Sequence, residues 1–358
     1  MLYRVVAGTL FIVAAGAARL EARSSDEPYL AIRTGLKCSQ CHVNRTGGGG
    51  RNAFGNVWAQ TQLPIVTMDV RSRNLNDWIA VGLDVRAQFS AAVSSFDPQT
   101  AFEIPEAQVQ IEGQLVPGLL TVYVDQTLGP ERSFTREVFG MLQWRPANGY
   151  VKVGKLLLPF GWRLWDDRAY IRSETGFTYL TPDLGIEVGI EPGPLSWSVA
   201  VSNGSAGGAE GDSEKMITSS AVIVQRAFRV GASASHNAAA TSRRNIFGGF
   251  GGFQLGPVSV LGEADWILER TDAQGDRNQF VAYAEGNLWA TRGVNAKVTY
   301  GYYDPDIDVP ENQRIRMRFG IEVFPVPSLQ LAAFYELIDD IPQVTGTDRV
   351  ILEAHIHF

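Results

Sequence analysis

Cys38-Ser39-Gln40-Cys41-His42 is the segment whose residue types and spacing point most directly to chemistry. Two thiols three residues apart share one turn, where they can add across the two vinyl groups of haem. The histidine beside them then faces the iron as its proximal ligand. The same cysteine spacing could also serve a redox dithiol or half of a zinc site. The chain has 2 cysteines in 358 residues, so no second pair completes a zinc site. No βαβ pattern surrounds them, as a thioredoxin-like dithiol would require. The expectation is one covalent c-type haem, attached at Cys38 and Cys41 and ligated by His42. Its other axial ligand is open among Met68, His236, His355 and His357.

Residues 1–22 read as a secretory signal peptide. Arg4 supplies a positive start, Val5 to Ala18 an apolar run, and Gly16-Ala17-Ala18 or Ala22 a small-residue cleavage site. Export puts both cysteines where a covalent haem or a disulfide is chemically allowed. Residues 23–75 then form a haem-attachment segment, in which the four glycines Gly47 to Gly50 read as a flexible link. The segment is too short to build its own cytochrome core. It must borrow walls from the rest of the chain.

From about residue 76 to residue 358 the pattern has period two. Arg314, Arg316, Arg318, Gly320 and Glu322 alternate with Ile315, Met317, Phe319, Ile321 and Val323. Glu106, Gln108 and Gln110 alternate with Ala107, Val109 and Ile111, and Glu263 and Asp265 with Ala264 and Trp266. Near the end, Glu353, His355 and His357 share one face. Such rows put polar groups into a watery interior and apolar groups outward, the signature of a transmembrane antiparallel β-barrel. About 16 such segments fit, at roughly 18 residues per strand and connection. Short connections such as Val116-Pro117-Gly118, Pro192-Gly193-Pro194 and Pro325-Val326-Pro327 alternate with long ones near 159–184, 203–215, 236–245, 270–278, 303–313 and 339–348. That parity predicts periplasmic turns on one side and outer loops on the other, with the haem segment starting on the turn side. The long loop 159–184 mixes Arg163, Arg168 and Arg172 with Asp166, Asp167 and Glu174; its resemblance to porin loops implies that it folds in and constricts the lumen. Trp78, Trp144, Trp197, Trp266 and Trp289 are expected at the lipid interfaces, and the terminal Phe358 resembles a barrel-assembly signal.

Composition removes other classes. A net charge of −7 argues against a nucleic-acid binder. After the first residues no run approaches the length of an apolar spanning helix. No hydrolytic or phosphate-transfer constellation is present, so any catalysis is one-electron transfer at the haem iron.

Tyr29 to Lys37, the motif Cys38–His42, and Asn52-Ala53-Phe54-Gly55 together resemble the fused outer-membrane cytochrome–porins of iron-oxidising bacteria. The stretch 150–161, with Gly154 and Pro159-Phe160-Gly161, is similar to phosphate-selective porins. The first resemblance implies a haem held inside the barrel in contact with outer-membrane lipid, extracellular Fe(II) as reductant, and a periplasmic cytochrome as electron acceptor. Acidic loop residues Glu210, Asp212, Glu214, Asp304, Asp306, Asp308, Glu311, Asp339 and Asp340 could meet the ferrous ion, although no ligand spacing marks them. The alternative is a diffusion porin for anions or small solutes with a periplasmic haem appendage.

Overall fold

The computed structural model describes residues 27–93, 99–129, 133–239, 241–272, 275–340 and 347–357. The signal-peptide reading of residues 1–22 and the terminal Phe358 lie outside them. Three helices come first: α1 (Pro28–Thr34), α2 (Cys38–Cys41) and α3 (Ala53–Gln62). Sixteen strands follow: β1 (Ile79–Val93), β2 (Gln99–Val116), β3 (Leu120–Thr127), β4 (Phe134–Trp144), β5 (Gly149–Leu156), β6 (Asp183–Ile190), β7 (Leu195–Ser202), β8 (Met216–Val224), β9 (Phe228–Ala239), β10 (Ser242–Leu255), β11 (Val258–Thr271), β12 (Gly275–Thr291), β13 (Val294–Asp304), β14 (Arg314–Val323), β15 (Leu329–Asp340) and β16 (Thr347–His357). A single helical turn, α4 (Tyr170–Ser173), interrupts the β5–β6 connection. Each strand pairs antiparallel with its sequence neighbours, and β1 pairs with β16, Arg86 opposite His355, so the sheet closes without an edge. Closure satisfies the backbone groups that lipid cannot. Among the described residues no helix is long and apolar enough to cross a membrane.

The burial is inverted relative to a water-soluble protein. Asp125, Glu137, Lys152, Glu187 and Glu336 are fully buried, whereas Val153, Ile186, Val230, Phe247 and Ile321 are exposed. The alternation read from the sequence therefore holds in space, polar side in and apolar side out, as for a barrel solvated by lipid. The interior is filled from both ends. Tyr29, Leu30, Ile32, Ala59 and Leu63 of the N-terminal segment and Leu158, Phe160, Trp162, Ile171 and Phe177 of the β5–β6 loop form one apolar core with wall residues Phe250 and Leu261. The leucine, isoleucine and phenylalanine side chains among them each contribute roughly 1.5–3 kcal/mol when fully buried.

Four expectations change. Trp289 does not sit in an interfacial belt: it packs against the lumen core with Arg33 4.7 Å above its ring, because it shares the inward parity of Glu285 and Asn287. The presumed long loops near 236–245 and 270–278 are largely strand, since β9 runs to Ala239, β10 starts at Ser242, β11 runs to Thr271 and β12 starts at Gly275. Strand ends beyond the lipid are wet on both faces, so their polar residues imitate loop composition. The glycine run is no flexible link. Gly47, Gly48 and Gly49 are buried with φ of 92°, 81° and 66°, a region other residues rarely adopt, and a Cβ on Gly49 would stand 2.6 Å from the Tyr123 hydroxyl. Helix α3, which the sequence reading passed over, starts at Asn52, whose side chain accepts from the Gly55 N–H at 2.9 Å.

Candidate functional site

The N-terminal segment enters from the short-turn end and is pinned around its rim. The Lys37 ammonium donates to the Glu191 and Leu195 carbonyls, at 3.2 and 2.6 Å. The Ser39 hydroxyl and the Arg45 guanidinium each donate to Glu191 at 2.7 Å. Arg229 donates to the carbonyls of Ala31 and Leu36, at 3.0 and 2.5 Å. Beyond α3, Arg292 donates to the Pro64 carbonyl at 2.8 Å and the Ile65 N–H to Phe324 at 2.8 Å. Deeper in the lumen, Tyr29 donates to Glu322 at 3.0 Å and Asn44 to Glu137 at 2.8 Å.

The motif itself is one helical turn. The His42 N–H donates to the Cys38 carbonyl at 2.9 Å, and Gln40 closes the turn's start through the Lys37 N–H at 2.8 Å. Helix α3 packs so closely that a Cβ on Gly55 would lie 2.1 Å from the Cys41 carbonyl oxygen, which requires glycine there. Asn52 ties the two elements, its amide donating to the Ser39 carbonyl at 3.1 Å. From the opposite end the β5–β6 loop descends into the lumen, as the resemblance to porins implied. Its Trp162 indole donates to Gly262 at 2.9 Å, and Arg163 reaches the Gly47 carbonyl at 2.6 Å, so loop and segment touch.

Between them lies a cavity of about 1310 Å³, its open mouth included. Cys38, Cys41 and His42 all line it, with Leu30, Phe160, Trp162, Val222, Val224 and Phe250 as apolar walls and Arg45, Arg51, Arg163 and Arg229 as cations. This donor set fits a covalently attached haem: two thiols on one turn, a histidine beside them, apolar surface for the macrocycle, and arginines for its carboxylates. Gly47 favours the fit, since a Cβ there would crowd the Cys38 sulfur at 3.3 Å.

The four candidates for a further axial ligand are elsewhere. Met68 is exposed on the connector to β1. His236 is exposed and bonded to Asn245 at 2.7 Å. His355 and His357 point inward, as their alternation predicted, but their rings pack on each other at 4.3 Å and His355 bonds to Asp84 at 2.7 Å. None of the four lines the cavity with Cys38, and among the described residues His42 is its only histidine.

A second cavity, about 1800 Å³ with its open space, occupies the other side of the lumen. It is lined by Arg86, Arg136, Arg168, Lys297, Arg316 and Arg318 against Glu103, Glu106, Glu285, Glu322, Glu353 and Asp166. Asp166 of the descending loop lies 2.7 Å from Arg316 and 2.6 Å from Arg318. Burial alone would raise its pKa, but the two guanidiniums outweigh that and hold it well below the carboxylate range. Glu27 is the opposite case. Burial, followed by the field of Glu322 and Glu285, pushes its pKa up to about 8 although Lys297 stands 3.1 Å away. One lysine faces three carboxylates there and can neutralise one. Three of the acidic residues nominated at the outer end are engaged locally: Glu210 pairs with Lys215 at 3.0 Å, and Asp304 and Asp306 accept from N–H groups two residues on, at 3.1 and 3.2 Å.

No protein-family model matches the sequence, and no curated protein matches it. Solved structures do resemble it. The anion-selective porin from Comamonas acidovorans superposes with a TM-score of 0.62 at 10% identity, covering 78% of this chain and 99% of that one. A loop-deleted OmpT, an outer membrane protein of Vibrio cholerae, gives 0.63 at 12% identity over 78% and 99%. OmpF of Salmonella typhi gives 0.59 at 10% identity over 78% and 97%. At such identities the likeness establishes the porin barrel fold.

Proposed function

We propose that this chain is an outer-membrane barrel that holds one c-type haem in its lumen and passes single electrons across the membrane, from an extracellular reductant such as Fe(II) to a periplasmic cytochrome. The carrying observation is the position of Cys38, Cys41 and His42: inside the barrel, on one cavity, beneath a loop that closes from the other end. Bound there, a haem would supply one-electron chemistry between ferrous and ferric iron. The chain's part is to attach it through two thiols, to ligate it with His42, to keep water from it with Trp162, Phe160 and Phe250, and to balance its acid groups with arginines. Anchoring the motif to Glu191 at the short-turn rim keeps it within reach of a periplasmic partner. A bilayer core is about 30 Å thick, so a redox centre inside the barrel shortens the gap that a wholly periplasmic one would leave.

The test is an absorbance spectrum of intact cells before and after ferrous iron is added outside. Haem reduction within seconds supports the conduit. Reduction by dithionite but not by iron would sink the iron donor. Absence of any haem band on the purified chain would sink the whole reading.

A second reading is favoured by the charged cavity. Facing rows of arginine and carboxylate suit a solute pore, and one structural neighbour is an anion-selective porin. Planar-bilayer conductance separates the two, because a lumen filled by segment and loop should conduct poorly.

A further inference from the structure

We propose that Asp84, Glu106 and His355 form a binding site for one first-row divalent cation on the inner wall where the barrel closes. The three residues come from β1, β2 and β16, and the register brings them together: Arg86 faces both Glu106 and His355 across its two ladders, and Asp84 faces Gln108. Each offers one ligand atom, these atoms lie within 4.8 Å of one another, and all three residues are buried. One imidazole and two carboxylates are a donor set for Fe(II), Mn(II) or Zn(II), softer and more nitrogen-bearing than Ca(II) or Mg(II) prefer.

A second observation points the same way. Gln108 is buried, and its amide donates to Glu106, yet its carbonyl oxygen has no hydrogen-bond donor. Gln108 stands opposite Asp84 on the ladder, so its oxygen is a fourth donor that a bound cation could recruit by rotation of the amide, and leaving it unmet is costly. The outer sphere is also in place. The other ring nitrogen of His355 lies 3.2 Å from the Gln330 oxygen and 3.3 Å from the Arg86 guanidinium, which together fix the ring, and the Trp165 ring stands edge-on at 6.0 Å.

The neighbouring guanidiniums compete for Glu106, Arg136 at 2.9 Å and Arg86 at 3.7 Å. Each keeps another carboxylate when the cation takes Glu106: Arg136 has Asp125 at 2.8 Å, and Arg86 has Glu353 at 2.7 Å. Glu106 and Arg86 line the charged cavity, so an ion reaches the site through the lumen. The inference stands apart from the haem reading, because it is read on the cation alone.

The experiment titrates the detergent-solubilised full chain with Mn(II), then with Zn(II) as competitor. One saturating equivalent is expected, with a nitrogen coupling from a bound imidazole in the pulsed EPR of the Mn(II) form. His355→Ala should abolish that coupling, and Glu106→Gln should weaken binding more than roughly tenfold. Asp276→Asn, exposed at the start of β12, should change neither. No saturable binding, or a Mn(II) signal without nitrogen coupling in the unaltered chain, would overturn the site. So would an equivalent retained in both His355→Ala and Glu106→Gln. The spectrum needs no variant, so a misfolded substitution does not blunt the test.

Discussion

The lumen has two unlike halves. Under β7–β11 the inward side chains are mostly small or apolar, Ser198, Ala200, Ser220, Val222, Phe250 and Leu261, and the space they leave holds the Cys38–His42 turn. Under β1–β4 and β12–β16 they are mostly charged or amide, and the space is an ionic channel crossed by Asp166 and Arg316. One alternation builds both walls, so the division arises from which residues fill the inward positions. The apolar half can take a hydrophobic group out of water. The ionic half keeps its charges only because they are paired.

The largest effect expected is on the apolar half. Replacing Cys38 and Cys41 together by alanine should abolish covalent haem on a denaturing gel stained for peroxidase activity. The barrel should still show its heat-dependent shift in mobility, because neither thiol takes part in the strand ladder. If that shift is lost as well, the halves are not independent and the comparison fails.

Next is the ionic half. Arg316→Ala removes one of the two guanidiniums that Glu336 and Asp166 share, Arg318 being the other, and breaking a buried pair from one side costs at most about 3–5 kcal/mol. Part of Asp166 is solvent-accessible, so the lower figure is expected for thermal unfolding in detergent. Single-channel conductance should rise as the loop loses this anchor, while the haem spectrum stays unchanged.

The pH dependence also discriminates. Glu27 has its pKa raised to about 8, so the folded state favours its neutral form. Its contribution to docking of the segment is fully present below the ordinary carboxylate value. It is lost as pH rises through about 8. Limited proteolysis of the N-terminal segment should accelerate between pH 6 and 9, on the order of a few-fold, and Glu27→Gln should flatten the curve. Asp166 has the opposite sign: its support of the loop persists above the carboxylate range and fades only in strong acid.

Much of this was legible in the sequence for a physical reason. Alternation is a local property, so rows such as Arg314, Arg316, Arg318 or Glu353, His355, His357 disclose their face without any knowledge of partners. The motif is equally local, whereas the inward turn of the loop was expected only from the likeness to porins. Partnerships across the lumen were hidden. Nothing near Tyr29 announces Glu322, and nothing near Asn44 announces Glu137. Gly47 to Gly50 looked like slack because composition cannot tell a glycine that is free to move from one confined by Tyr123. The nearest available sign for α3 was Asn52 with its N-cap chemistry. Trp289 failed by parity: its place in the Glu285 and Asn287 row was readable and outweighed its type.

The smallest effect concerns the residues that chemistry alone nominated and position separates from the motif. Met68 and His236 are exposed and neither lines the apolar cavity, and His355 and His357 are packed together in the other half. Alanine at each of the four should leave the haem bands in place, and at Met68 should move stability by no more than about 0.5 kcal/mol. A lost or shifted low-spin band in any one of them would show that the segment moves far enough in the mature protein to recruit a ligand across the lumen. The two halves would then be one site. Unchanged bands in all four would mean that none of them binds the iron, and an added ligand such as imidazole or cyanide would then test whether a position on it is open.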